Sequence, residues 1–276
     1  MKNKICLFTL SVVLMIVASS CQKTDRPKLG EYPKDANPPG GPLKFYVAFD
    51  GTTSDPLMNA VDSIRANFPS SNPLTSIPGI SKAGIQGNIE KAIKYPSAND
   101  FKGVTSCTIS MWVNNTVNSN TEFYFSLASK DYWHESAAFL LVEHATATAC
   151  TFKFALMDHW VEYNNQSFTK PLFNGQWHHL AFTYDETTSK LKIYFDGAEV
   201  ATPGNSGDFT SNGAPLGKLN LKSADNLVVG GWNKNVSISG PTDPWISAFT
   251  GKMDQFRLYG KALSESEILA LYNSKL

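Results

Sequence analysis

Trp177-His178-His179 sets two imidazoles side by side at the head of an alternating run, GQWHHLAFTYDETTSKLKIYFDG, and histidine is concentrated nowhere else in the chain. Neighbouring imidazoles invite metal chelation or general-base chemistry. On a strand, however, residues i and i+1 point to opposite faces, so these two cannot grip one ion together. His134, His144 and His159 fall on separate segments. The pattern therefore favours a framework role over a metal site. His178 falls in phase with Leu180, Phe182 and Tyr184, and His179 with Ala181, Thr183 and Asp185.

Carboxylates are the next candidates for chemistry. Glu122, Glu143, Asp158 and Glu162 each stand alone near the end of an apolar run. A serine nucleophile elbow, a phosphate-binding loop and a Cys-x-x-Cys pair are all missing.

Tryptophans offer binding instead. Trp112 and Trp177 lie in strongly alternating runs, but the other four fall in irregular polar stretches. These are Trp133 in SKDYWHES, Trp160 in MDHWVEYNN, Trp232 in GGWNKN and Trp245 in PTDPWIS. A flat ring stacks on the apolar face of a sugar while nearby polar groups bond its hydroxyls. Trp133, Asp131 and His134 form the densest such group, and Trp160, Trp232 and Trp245 are the further carbohydrate-binding candidates. The alternative is that these rings plug the ends of the fold.

The elements that must position these residues are strands. LKFYVAF, KAIKY, CTISMWV, EFYFSLA, AAFLLVE, CTFKFALM, HHLAFTYD, LKIYFD, NLVVGG and KMDQFRLY alternate with period two and are separated by Gly, Asn, Asp and Pro. Such spacing predicts an all-β, two-sheet antiparallel sandwich. Asp196-Gly197 is a tight hairpin signal, because that turn needs positive φ. A helix is expected only at the C-terminus, in LSESEILALYN. There Ser264 and Glu267 form a capping box, Leu263 and Ile268 a hydrophobic staple, and Ile268, Leu271 and Tyr272 one apolar face.

The N-terminus sets the compartment. Lys2 and Lys4 precede an apolar stretch from Ile5 to Ala18, then Ser19-Ser20-Cys21, which reads as a bacterial export signal over residues 1–20. The cysteine after small residues resembles a lipobox, making Cys21 the lipidated first residue of a lipoprotein in the cell envelope. Ordinary cleavage near Ser20 would give a soluble periplasmic protein. Residues 21–42 are polar and rich in Pro and Gly, a tether that cannot bury a core, so one domain spans 43–276. Losing Lys2 and Lys4 leaves 22 basic side chains against 24 acidic ones, a net charge of about −2. That balance argues against nucleic acid as a partner and leaves membrane contact to the lipid anchor. Cys107 and Cys150 both open apolar runs and face the core, either as a disulfide or as two buried thiols.

The WHHLAFTYD…LKIYFDG hairpin resembles the signature of the laminin-G-like, concanavalin A-like lectin/glucanase superfamily. TISMWV (108–113) and GKMDQFRLY (251–259) followed by Ala262-Leu263-Ser264 resemble it too. The resemblance implies a jelly-roll sandwich over 43–276 and a framework role for Trp177 and His179. It also implies a structural calcium ion near the rim, with Asp50 ending the first strand and Asp254 in the last. Otherwise Asp50-Gly51 is only a turn and Asp254 a surface acid. Retaining glycanases of this fold carry E-x-D-x-x-E on one strand face, with the two carboxyls about 5 Å apart. That run is missing, as are the Arg-, Gln/His- and Tyr-bearing strands of the fold's lyases. The expectation is a lipid-anchored, non-catalytic glycan-binding protein that assists polysaccharide capture. Its rivals are a protein-interaction or adhesion module, and a hydrolase or lyase with an unfamiliar site.

Overall fold

The computed structural model describes residues 41–50, 57–58, 61, 69, 71–129, 133–224, 226–240 and 242–275. The proposed signal and most of the tether, Cys21 included, and Asp131 lie outside the described residues; of Trp133 only the backbone is described.

In chain order the strands are β1 (Leu43–Val47), β2 (Thr75–Pro78), β3 (Ala83–Gln86), β4 (Ile93–Tyr95), β5 (Cys107–Thr116), β6 (Thr121–Ala128), β7 (Ala138–Glu143), β8 (Cys150–Leu156) and β9 (His159–Phe168). They continue as β10 (Asn174–Asp185), β11 (Lys190–Phe195), β12 (Ala198–Val200), β13 (Thr210–Ser211), β14 (Ala214–Pro215), β15 (Asn226–Val229), β16 (Ile246–Ala248) and β17 (Lys252–Tyr259), followed by helix α1 (Glu265–Ser274).

Two sheets pack face to face. The first runs β12-β11-β10-β5-β17-β3-β2, with β1 also on β17; the second runs β4-β15-β6-β7-β8-β9, with β16 on β6. All pairings inside them are antiparallel except β16 on β6, which is parallel. Every run expected from its alternation is a strand. β2, β3, β9, β12, β13, β14 and β16 come in addition. Between the sheets lie the inward residues of both, among them Ile109, Met111, Phe125, Phe154, Phe182 and Phe256, all at most 1% exposed. Phe154 and Phe182 stack across the interface with centroids 4.1 Å apart.

The hairpin reads as its residues dictate. Asp196 and Gly197 take φ of 52° and 79°, the doubly positive turn that joins β11 to β12. Helix α1 starts at the capping box, where Ser264 Oγ accepts from Glu267 N and Glu267 Oε2 accepts from Ser264 N at 2.8 Å. Its apolar side buries Ile268 on the outer face of the first sheet against Tyr46, Ala181 and Tyr194.

Both histidines belong to this framework. His179 is fully buried beneath α1. It shares a 2.8 Å hydrogen bond with Ser110 Oγ through Nε2, and packs against Trp112 and Tyr272 with centroids at 5.2 and 6.4 Å. Burial, with Arg257 adding, drives its pKa down to about 3. His178 takes the core-facing phase, bonding Asp196 Oδ2 at 2.8 Å and Asn174 Oδ1 at 3.0 Å. Trp177 is half-buried opposite Asn114.

Cys107 and Cys150 are free thiols, on β5 and β8 in opposite sheets, so the unbonded reading is the one the fold carries. Burial pushes both thiols up to about 12, which leaves them inert.

Candidate functional site

The strand registers of the second sheet assemble a surface that the linear sequence scatters. On its outer face one row runs Val228, Ser126, Phe139, Ala155, Trp160 across five neighbouring strands. A second row, beyond a bulge in β6, runs Phe123, Leu141, Lys153, Glu162. Side chains two residues apart on a strand share a face and lie about 7 Å apart. An aromatic row therefore stands beside a charged one.

The apolar centre of this face is Phe123, Phe139, Leu141, Ala155, Trp232 and Ile246, with Trp160 packed at its margin. Phe139 meets Trp160 edge-on at 4.9 Å, and Phe123 stacks under Trp232 at 5.7 Å.

The chain after β15 roofs one half of the face. Gly230, at φ 79°, turns the backbone out of the strand, and Gly231 lets it descend, because a Cβ there would sit 2.6 Å from that of Ala92. Trp232 is thereby pressed flat on Phe123 and is 0% exposed. As a sugar-stacking ring Trp232 is corrected: it is part of the roof. Its Nε1 and Asn233 Oδ1 are buried without a hydrogen-bond partner. Asn233 Nδ2 donates to Ser129 O, tying the roof to the turn after β6.

The other half, over β7, β8 and β9, holds half-buried Trp160, Lys153 and Glu162. Lys153 Nζ pairs with Glu143 Oε2 at 2.7 Å, and their side chains are 21% and 10% exposed. Asn164 Nδ2 donates to Glu162 Oε2 at 3.2 Å.

The remaining candidates border this face at its two ends. Trp133 and His134 lie in a short 3-10 turn (Trp133–Glu135), and His134 is exposed. Ser136, just after it, bonds Ser126 Oγ at 3.1 Å. Trp245 heads β16 at the opposite end, 52% exposed, beside Ile246, which pairs with Thr121. Trp160, expected in an irregular segment, lies on regular strand β9. Sequence reasoning met Glu143 and Glu162 as isolated acids and passed over Lys153. Only the strand register brings the three together.

The two acids expected at the rim do approach each other. β1 and β17 pair antiparallel, Val47 opposite Phe256. Asp50 Oδ1 accepts from Ala83 N at 2.8 Å, and Asp254 Oδ2 from Ile80 N at 2.9 Å and Ser81 N at 3.3 Å. Asp254 is no surface acid: it is 0% exposed and its Oδ1 has no partner. Burial, against the pull of the Ser81 amide and with the charge of Asp50 adding, pushes its pKa up to about 8. The Lys82 ammonium already lies 3.9 Å from Asp50 Oδ2, so the donor left for a cation is Asp254 Oδ1. Among the described residues no group of three or more His, Cys, Asp or Glu stands ready to hold a metal, so backbone carbonyls and water would supply most of calcium's six or more oxygens.

A cleft of about 720 Å³ on the other sheet, bounded by β10, β11 and the start of α1, differs in kind. Its central ammonium is already matched, Lys192 with Glu199 at 2.7 Å and with Glu265 at 3.2 Å.

The sequence profile of the concanavalin A-like lectin/glucanases superfamily matches residues 87–269. No curated protein matches the chain. Among solved structures, the chain resembles domain 4 of AbnA, a GH43 extracellular arabinanase from Geobacillus stearothermophilus, in complex with arabinotriose. Identity there is 19% and the TM-score 0.51, over 83% of this chain and 98% of that domain. The receptor-binding domain of the botulinum neurotoxin C/D mosaic serotype gives 11% and 0.55, over 84% and 51%. The CBM40 of Ruminococcus gnavus IT-sialidase, bound to α2,3-sialyllactose, gives 16% and 0.47, over 68% and 95%. At these identities the likeness is one of fold.

Proposed function

The chain belongs to the concanavalin A-like lectin/glucanase superfamily, and from that premise we propose that it is an exported, lipid-anchored, non-catalytic carbohydrate-binding protein that assists polysaccharide capture. One observation carries the reading. On the outer face of the second sheet the half-buried Trp160 ring stands beside Lys153, Glu143 and Glu162, one partly exposed aromatic surface flanked by hydrogen-bonding groups. A pyranose or furanose presents the complementary pattern, a C–H face and a rim of hydroxyls. The arabinanase domain that shares this fold holds arabinotriose.

Support for the non-catalytic part comes from Lys153. It stands in register with Glu162 and is ion-paired to Glu143, so the two carboxylates are separated by an ammonium rather than facing a glycosidic bond. Calcium between Asp50 and Asp254 would be structural, neutralising buried charge at the meeting of β1, β17 and the loop before β3. The anchor rests on Cys21 alone: labelled palmitate should enter the protein and fail to enter Cys21→Ala.

A glycan array tests the central reading, with binding to at least one polysaccharide expected. A protein-contact function is the second reading. It is favoured by Ile89 and Trp245, 49% and 52% exposed, on segments joined through the bond from Ala248 N to Ile89 O at 3.1 Å. An array blank for every glycan would move it ahead.

A further inference from the structure

We infer that the partly exposed cluster of Trp160, Lys153 and Glu162 on the second sheet selects uncharged, hydroxyl-rich glycans and rejects those bearing carboxylates; the inference rests on the carbohydrate reading of this face. An ionised carboxylate only accepts hydrogen bonds, and an ammonium only donates. Glu162 spends Oε2 on Asn164, which leaves Oε1 to accept from a ligand. Glu143 is engaged by Lys153, and its Oε1 lies 3.5 Å from Thr121 Oγ1. Lys153, fixed by Glu143 at 2.7 Å, has two further N–H groups to donate.

A neutral sugar answers both needs, because each hydroxyl donates and accepts. A uronate or sialate carboxylate offers Glu162 nothing to accept. Its own charge would meet two acids and one ammonium that is already paired, a local balance of one net negative charge. Like charges a few ångströms apart beside partly buried groups repel by amounts that exceed the worth of one hydrogen bond. Trp160 supplies the remaining affinity through stacking, which is indifferent to salt, so binding of the right ligand should be insensitive to ionic strength.

The experiment titrates the full protein, by calorimetry, with four probes: arabinohexaose, cellohexaose, hexagalacturonate and 3′-sialyllactose. Each titration is run at low and at high sodium chloride. Wild type should bind at least one neutral probe with affinity unchanged by salt, and each anionic probe at least ten-fold more weakly. Glu162→Gln removes the local excess charge and keeps an acceptor. It should narrow the preference for the neutral over the anionic probes, read as the ratio of affinities within the variant, by at least five-fold. Thermal melting, unchanged in Glu162→Gln, confirms that the variant is folded.

Binding of an anionic probe as tightly as the neutral ones, or a preference unmoved in Glu162→Gln, overturns the charge selection while the glycan reading stands. Neutral binding that high salt abolishes overturns it as well. Binding to none of the four probes nor to any glycan on an array overturns both.

Discussion

Substituting His179 by glutamine should flatten the acid side of the protein's stability curve. In the folded state His179 is fully buried and held neutral, with a pKa of about 3; in the unfolded chain the value is about 6.5. Because the folded value is the lower one, the stabilisation is complete above the unfolded pKa and is lost as pH falls toward 3. Each unit is worth about 1.4 kcal/mol, so moving from about pH 7.5 to about pH 5 should cost the wild type about 2 kcal/mol through this residue alone. Asp254 works in the opposite direction. Its pKa is raised to about 8, so the folded state is penalised as pH climbs from about 4 to 8. The variant retains Asp254, and subtraction removes it. Urea unfolding, followed by tryptophan fluorescence in chelator at both pH values, gives the four free energies required. Near neutral pH the variant should be less stable by about 1–3 kcal/mol, since Ser110 loses a buried partner. That deficit should shrink by about 2 kcal/mol at the lower pH. Parallel curves for the two proteins, or lost glycan binding with unchanged stability, would refute the framework assignment.

Three other outcomes follow from the same geometry. Trp232→Ala should lose about 3–5 kcal/mol of stability, less about 1 kcal/mol recovered by deleting an indole N–H without a partner; a loss below 1 kcal/mol in urea would mean that the ring is no roof. Asp254→Asn should raise the melting temperature in chelator near neutral pH and abolish any rise on adding calcium, whereas the wild type should gain from millimolar calcium; a wild type indifferent to calcium removes the ion from the account. Cys107 and Cys150 should resist alkylation in the native protein and react in denaturant, as mass mapping of the two peptides would show.

How much of this was legible in the sequence depended on whether a residue's meaning was local. The ten alternating runs, the Asp196-Gly197 turn and the Ser264–Glu267 cap are local, each set within a few residues, and the fold follows them. β2 and β3 escaped because TSIP and AGIQ are too short for a period, and carry Pro and Gly. β9 escaped because its outer side is Trp, Glu and Asn and reads as a loop, although Val161 and Tyr163 keep the inward phase. The face itself could not be read at all. Lys153 lies beside Glu143 and Glu162 only because β7, β8 and β9 pair in one register. Trp232 is buried only because Gly231 lets the backbone drop onto Ala92. An aromatic in a polar loop has the same local sequence whether it roofs a sheet or receives a ligand.

The central claim is that Trp160 is a stacking ring in a glycan site, and calorimetric titration of Trp160→Ala with the best ligand from an array tests it most directly. By analogy with bases stacked on aromatic side chains, affinity should fall by about 1–3 kcal/mol, roughly 5- to 150-fold, in a variant that urea unfolding shows to be folded at the titration temperature. Wild-type affinity in that variant would contradict the account.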